Sequence, residues 1–134
     1  MPAASSPVWS LSTCVAALAT LRELESNNVY EHLATVGSKL MEGLRTVAQH
    51  RSLPLLVQGM GPVFHTTFTE QTEIRNYRDY LNCDLPKQKR FVEALIENGI
   101  RITSRGTWFL SAAHTDEDIE ATIAAADRAL KSVQ

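Results

Sequence analysis

The 134-residue sequence has few of the residues that form cross-links or bind metals. Its two cysteines, Cys14 and Cys83, are far apart and have no CxxC spacing, and its four histidines form no HxxxH or similar ligand pair. A disulfide framework and a zinc site are therefore not expected, and a reduced, cytoplasmic setting is favoured. We expect no bound metal.

The sequence also lacks an excess of positive charge and a long apolar run. The formal net charge is -2, with 21% of residues charged and both signs mixed, so we expect no basic face for nucleic acid. No apolar run approaches the length of a membrane span, which is about 20 residues. The first residues lack the charged and apolar regions of a signal peptide. We therefore expect neither nucleic acid nor a membrane as a partner.

Regularly spaced apolar residues predict four helices. The last begins at a capping box, because Thr115 is followed three residues later by Asp118, and its apolar residues then recur every three or four positions. Another helix starts at Asp84-Leu85-Pro86 and stops at Gly99, a residue suited to a left-handed C-terminal cap. The predicted helices cover residues 12–24, 29–50, 87–98 and a C-terminal segment after Thr115.

Between these helices, short β-rich runs predict strands at residues 55–58, 63–69, 100–103 and 108–111. In the second run, Phe64, Thr66 and Phe68 fall on one face, and His65, Thr67 and Thr69 fall on the other. The segment from Glu70 to Leu85 is polar and irregular. The order of elements predicts an α+β fold of two layers, with helices packed on a small, largely antiparallel sheet. We expect residues 1–11 to be irregular and residues 12–134 to form one domain.

Several blocks of this sequence together resemble a known family: "WSLSTCVAALATLRELE", "VQGMGPVFHTTF", "RFVEALIENGIRI" and, most tellingly, "SAAHTDEDI". The chain resembles the C-terminal small domain of class III, fold-type-I pyridoxal-phosphate aminotransferases, in the style of glutamate-1-semialdehyde aminomutase. The resemblance covers nearly the whole chain. It implies the small-domain fold and a parent activity of amino-group transfer or shift on pyridoxal phosphate.

The chain departs from the family pattern at three places. The family threonine that donates to the cofactor phosphate of the neighbouring subunit falls on Val8, which has no hydroxyl. The family Asn-Pro pair falls on Ser12 and Thr13. A glutamate near the active-site mouth of the aminomutases falls on Gly106, which has no side chain.

The resemblance also implies that the Schiff-base lysine, the acid paired with the pyridine nitrogen and the phosphate cradle belong to a large domain. This chain has only four lysines, and we expect them on exposed helix faces: Lys39, Lys87, Lys89 and Lys131. We therefore predict no catalytic residue here and no cofactor bound by this chain alone, although full-length relatives use pyridoxal phosphate.

One residue is a candidate for substrate contact. Arg105 lies on a predicted turn between two strands, where its guanidinium could pair bidentately with a substrate carboxylate; the alternative is an ordinary exposed arginine. By resemblance, Trp9 and Ser10 would lie near the cofactor in a full-length relative. For His114 and His65 we favour structural roles over a general base and a ligand, respectively, and for Cys14 we favour burial over reactivity.

Two functions remain open at this point. The first is a truncated or solitary small domain of an aminotransferase-like or aminomutase-like protein, inactive alone, whose partner is a missing large domain or a second copy in a homo-oligomer. The second is a stand-alone protein-interaction module that kept this fold. Because severing such a domain would uncover Val15, Leu18 and Leu21, we expect association through the 12–24 helix.

Overall fold

The computed structural model describes residues 10–26 and 28–134. These residues form five helices and three strands: α1 (Leu11–Ser26), α2 (Val29–His50), β1 (Leu55–Met60), β2 (Val63–Phe68), α3 (Tyr77–Leu81), α4 (Leu85–Glu97), β3 (Thr107–Phe109) and α5 (Asp116–Ser132). The predicted α+β two-layer fold is confirmed. Contacts between residues divide the chain into two compact units. The boundary in the sequence lies between His32 and Leu33, and the two units are described separately. That residues 12–134 act as one domain stays a prediction.

In the first unit, α1 has an exposed apolar face. Val15, Leu18 and Leu21 are 58%, 53% and 55% exposed, and Cys14 is also exposed. The prediction that Cys14 is buried was therefore wrong. The apolar spacing of this segment predicts a helix, but it does not predict which side chains of that helix are covered. The helix begins after Ser10, whose hydroxyl accepts a hydrogen bond from the Thr13 amide at 3.2 Å.

In the second unit, the three strands form an antiparallel sheet in the order β1-β2-β3. β1 and β2 form a hairpin with Leu55 opposite Phe68 and Met60 opposite Val63, joined by Gly61 and Pro62. β3 pairs with β2 on its other side. This pairing places the segment before β3 next to β2, which matters for the candidate site.

The predicted strand at residues 100–103 was wrong. This segment has no strand geometry, and only Thr103, at its end, is hydrogen-bonded to Thr107 of β3: its amide donates to the Thr107 carbonyl at 3.1 Å, and its hydroxyl accepts from the Thr107 amide at 2.9 Å. Ile100 and Ile102 are half-buried and pack against the core, so their apolar character reflects packing of a loop. The predicted strand at 108–111 exists, but it covers only Thr107–Phe109.

The inner face of the sheet packs against α2, α4 and α5. Phe64 stacks on Trp108 with ring centroids 5.6 Å apart, and Phe68 meets Phe91 edge to face at the same distance. Fully buried aliphatic residues complete this core: Leu40, Leu44, Leu95, Ile119 and Leu130. The predicted inner face of β2 is thus confirmed. Ile96 is 56% exposed, because it lies one position beyond the buried stripe of α4.

The outer face of the sheet is partly covered by residues 70–83, which were predicted to be irregular. This segment contains the short helix α3, capped at its N-terminus by Asn76. Thr67, which was predicted on the outer face, is 1% exposed. The Gln58 side chain fastens the segment to β1: its Nε2 donates to the Ile74 carbonyl at 3.1 Å, and its Oε1 accepts from the Ile74 amide at 2.9 Å.

The predicted caps of α4 and the predicted N-terminal cap of α5 are confirmed. Asp84 Oδ1 accepts a hydrogen bond from the Lys87 amide at 2.9 Å. After α4, Gly99 has a positive φ of 83°, which allows the Ile100 amide to donate back to the Leu95 carbonyl at 2.9 Å. Thr115 and Asp118 form a complete capping box. Within residues 10–26 and 28–134, no helix is long and apolar enough to cross a membrane.

Candidate functional site

The candidate substrate contact, Arg105, lies on a turn that leads directly into β3. The Gly106 amide donates to the Thr103 carbonyl at 2.9 Å, and the Thr107 amide donates to the Thr103 hydroxyl at 2.9 Å. Together with the bond from the Thr103 amide to the Thr107 carbonyl, three hydrogen bonds that involve Thr103 close the turn. Arg105 was predicted to lie between two strands. The strand after it is present, but the segment before it is irregular.

Gly106 holds this turn close to β2. It is buried, with a φ of 95°, and its carbonyl accepts a hydrogen bond from the Thr66 amide at 2.9 Å. A Cβ atom at this position would overlap the Thr66 carbonyl oxygen and the Gln88 side-chain nitrogen. Both the backbone conformation and the lack of space therefore require glycine. The glutamate that the family resemblance would place here cannot be accommodated in this backbone.

His65 supports the same turn from the outer face of β2. Its Nε2 lies 2.6 Å from the Arg105 carbonyl oxygen. A carbonyl oxygen can only accept, so Nε2 carries the proton in this contact. Burial lowers the pKa of His65 below its ordinary value of 6.5, and the hydrogen bond to the Arg105 carbonyl opposes that shift. The imidazole is thus a neutral support for the turn, consistent with the predicted structural role.

The fixed backbone leaves the Arg105 side chain exposed. Across the part of the chain that the structure describes, no carboxylate forms an ion pair with its guanidinium. An exposed guanidinium on a rigid turn can form two parallel hydrogen bonds with a carboxylate. The position can therefore recognise a carboxylate.

The residues predicted to lie near a cofactor are not brought to this turn by the structure. Trp9 lies outside the described residues, as does Val8. Ser10 belongs to the first unit and caps α1, where its hydroxyl also contacts the hydroxyls of Ser12 and Thr13, each at 2.8 Å. Sequence reasoning missed this cap, although a serine before an apolar helical pattern is its usual signal.

His114 has the structural role that the sequence favoured. Its Nδ1 accepts a hydrogen bond from the Ser111 amide at 3.0 Å and lies 3.1 Å from the Ser111 hydroxyl. Its own amide donates to the Ser111 carbonyl at 3.1 Å, which closes the turn before α5. Among the described residues, no group of three or more histidine, cysteine, aspartate or glutamate side chains could hold a metal ion.

The lysines of this chain do not fit the requirements of a Schiff-base lysine, whose amine must lose its proton to react. Lys39 Nζ lies 3.0 Å from Asp116 and 3.1 Å from Glu120, and these hydrogen bonds raise its pKa above the ordinary value. The amine of Lys39 is therefore held in its charged form. The other lysines lie on α4 and α5 and are exposed or half-buried: Lys87, Lys89 and Lys131. The described residues thus do not fit pyridoxal phosphate.

The fold matches solved structures of pyridoxal-phosphate transaminases. An omega-transaminase from Sphaerobacter thermophilus is 27% identical with a TM-score of 0.78, over 90% of this chain and 28% of that one. The FumI protein of a Sphingopyxis species, in its pyridoxal-phosphate internal aldimine form, is 27% identical with a TM-score of 0.76, over 90% of this chain and 27% of that one.

A glutamate-1-semialdehyde aminomutase from Pseudomonas aeruginosa has the same fold, with 18% identity and a TM-score of 0.75, over 87% of this chain and 26% of that one. No protein-family model matches the sequence. This chain thus spans about a quarter of the length of the proteins it matches. The predicted resemblance is confirmed: the chain matches a small domain of class III pyridoxal-phosphate transaminases and glutamate-1-semialdehyde aminomutases.

Proposed function

We propose that this chain acts as the small-domain part of a class III pyridoxal-phosphate aminotransferase-like or aminomutase-like protein, and that it does not catalyse amino-group transfer by itself. The observation that carries this proposal is the match of 90% of the chain to about a quarter of such transaminases. The charged Lys39 amine, paired with two carboxylates, supports the proposed lack of activity. A reduced, cytoplasmic setting is part of the proposal, and cell fractionation tests it.

The test of inactivity is an absorbance titration of the purified chain with pyridoxal phosphate. We expect no stable band that depends on a single lysine, because the Lys39 amine is paired with carboxylates and amines on a helix surface form only transient imines with the free aldehyde. The matched variants are single Lys→Arg substitutions at the four lysines, which keep the charge. A stable band that one of these substitutions abolishes would show that the chain holds the cofactor, and the proposal would then be wrong.

In the proposed parent protein, the Arg105 guanidinium binds the substrate carboxylate. The exposed side chain and the hydrogen bonds that fix its backbone support this role. Titration of isotope-labelled protein with succinate should saturably shift the backbone amide resonances of residues 103–107. Arg105→Gln should abolish the response, whereas Arg101→Gln, which changes another exposed arginine, should preserve it. A response that persists in Arg105→Gln contradicts the assignment.

Trp9 and Ser10 belong to the same proposal as residues near the cofactor of the parent protein. The family resemblance of their segment supports this assignment. In a parent protein assembled with its large domain, substitution of either residue should change cofactor affinity. An affinity that neither substitution changes would remove both residues from the site.

We infer that α1 mediates association, with a second copy in the purified protein or with a large domain where one is present. The support is the exposure of Val15, Leu18 and Leu21, since an apolar patch of a few hundred Å² tends to be buried by association. Light scattering should show an assembly that Leu18→Glu and Leu21→Glu convert to monomer. A monomeric unmodified chain, or an assembly that resists both charges, contradicts this inference.

A stand-alone interaction module is the second candidate function. Gly106 favours it, because this backbone excludes the side chain that the aminomutase pattern has there. Such a module would associate with a protein partner or with itself without pyridoxal phosphate. A chain that remains an inert monomer in light scattering and in pull-down experiments would leave this alternative without support.

A further inference from the structure

A cavity of about 320 Å³ lies between the outer face of the β1–β2 hairpin and the segment that covers it. The residues that line it are Leu56, Gln58, Gly59, His65, Ile74 and Tyr80. Its volume is at the lower end of the range of about 300–1,000 Å³ that is usual for small-molecule sites. It therefore has room for a ligand of one or two rings.

Half of the six lining residues have no polar side-chain group to offer a ligand. Leu56 and Ile74 are aliphatic, and Gly59 has no side chain. The Gln58 amide uses both its nitrogen and its oxygen on the Ile74 backbone, at 3.1 and 2.9 Å. None of the lining residues is an aspartate, glutamate, lysine or arginine. A charged ligand would lose its hydration here without gaining a counter-ion, so the lining favours an uncharged one.

Tyr80 has a ring hydroxyl, and His65 retains one hydrogen-bond acceptor. Its Nε2 proton is directed to the Arg105 carbonyl at 2.6 Å, so the neutral ring has an unprotonated Nδ1. Within the described part of the chain, no hydrogen bond to this Nδ1 is present. A ligand that donates one hydrogen bond would match this atom.

Aromatic rings on one wall of the cavity further restrict the ligand. The Tyr80 ring meets the His65 imidazole edge to face, with centroids 5.9 Å apart and planes at 70°. Tyr77 stacks against Tyr80 from a centroid distance of 6.3 Å and holds that ring in place. Flat aromatic molecules form favourable offset or edge contacts with such rings.

We propose that this cavity is a binding site for a small, uncharged aromatic molecule with one N–H or O–H donor, of the indole or phenol class. The donor binds His65 Nδ1, and the ring lies among Leu56, Ile74 and Tyr80. This site is independent of the carboxylate contact proposed for Arg105, because it uses only the main-chain carbonyl of that residue. The two proposals can therefore fail separately.

The test compares indole with benzofuran, which has the same shape but no N–H group, in amide and imidazole NMR titrations of the full chain. We expect indole to bind with a dissociation constant on the order of 1 mM. The shifts should concentrate on residues 56–59, 65 and 74–80. Benzofuran should bind about five-fold more weakly, because it covers the Nδ1 acceptor of His65 without donating a hydrogen bond to it.

Two histidine variants form a matched pair for this test. His65→Phe keeps a ring in the cavity and removes the acceptor, so it should weaken indole about five-fold and leave benzofuran within about two-fold. His50→Phe makes the same change at an exposed position away from the cavity and should change neither ligand. If His65→Phe does not fold, the ligand pair on the unmodified chain still decides the result.

Three results would overturn the proposal. The first is equal binding of indole and benzofuran to the unmodified chain. The second is the lack of saturable shifts near the cavity up to the solubility limit of indole. The third is concentration-dependent shifts of the same residues without ligand, because a second copy of the chain would then be the occupant of the cavity.

Discussion

Helices α1 and α5 have nearly equal lengths, 16 and 17 residues, and both sequences repeat apolar residues every three or four positions. Their surroundings differ. In α5, Ile119 and Leu130 are fully buried, whereas Leu18 and Leu21 of α1 are more than half exposed. Apolar periodicity therefore predicts that a helix forms, but not that a neighbouring surface covers it.

Both helices also begin with an N-terminal cap. Ser10 caps α1 and Thr115 caps α5, each with a side-chain oxygen that accepts from a backbone amide at 3.2 Å. Local signals are thus similar in both helices, and the difference between them arises from packing. Matched substitutions can separate these two contributions.

The largest expected effect concerns the buried stripe of α5. Leu130→Ala should lower the free energy of unfolding by about 2–5 kcal/mol, because the side chain is fully buried and its loss leaves a cavity. The matched change on α1, Leu21→Ala, should stay within about 0.5 kcal/mol. Urea denaturation followed by circular dichroism measures both values.

This pair of variants tests directly whether α1 and α5 differ in burial. A loss of similar size in both variants would show that Leu21 is covered in solution. Because an α1-mediated assembly would supply such cover, the measurement needs a range of protein concentrations. At concentrations where the chain is monomeric, only Leu130→Ala should destabilise it.

A smaller effect is expected from the two N-terminal caps. Thr115→Ala should cost about 1 kcal/mol of global stability, because it removes a complete capping box from a helix of the core. Ser10→Ala removes a cap of the same chemistry, but it should leave the main unfolding transition unchanged and reduce only the helical signal of α1. Equal shifts of the main transition would contradict the difference between the helices.

The smallest effect concerns acid stability. Arg51 donates two hydrogen bonds of 2.7 Å to the Asp127 carboxylate of α5, which lowers the pKa of Asp127 below its ordinary value of 3.8. The unfolded chain therefore binds this proton first as the pH falls. The stability that the pair contributes is complete above about pH 4 and is lost below it.

Asp127→Asn should accordingly reduce the dependence of the melting temperature on pH below about pH 4. Arg51→Gln should produce the same reduction, and the double variant should add nothing further, because both single changes break one pair. Thermal melts between pH 2 and pH 7 measure this dependence. An unchanged slope in Asp127→Asn would show that the pair contributes no measurable stability, as exposed pairs sometimes do.

The helices α1, α2, α4 and α5 and the hairpin could be predicted from the sequence because their signals are local. The capping box at Thr115, the glycine after α4 and the alternation in β2 each lie within a few residues. The burial of Cys14 and the strand at 100–103 were wrong because both depend on distant partners. A strand requires a pairing edge, and Ile100 and Ile102 use the core instead.

The candidate site was only partly predictable for the same reason. The neighbours of Arg105 in the sequence predict a turn, so this residue could be proposed as an exposed arginine that contacts a ligand. Its hydrogen bond to His65 spans 40 residues and follows from the register that places Thr107 opposite His65. The packing of Gln88 under Gly106 likewise depends on how α4 lies against β2. A single sequence contains no direct signal for either contact.

The attachment of Gln58 to Ile74 has a consequence for hydrogen exchange. The Gln58 side-chain amide makes the two hydrogen bonds with the Ile74 backbone that a neighbouring strand would otherwise make. The Ile74 amide proton should therefore exchange slowly, although its segment has no regular structure there. Gln58→Leu would remove both bonds at once and release this proton to solvent. The Gln58 side chain thus protects the covering segment at Ile74, in addition to the contact between the Tyr80 and His65 rings.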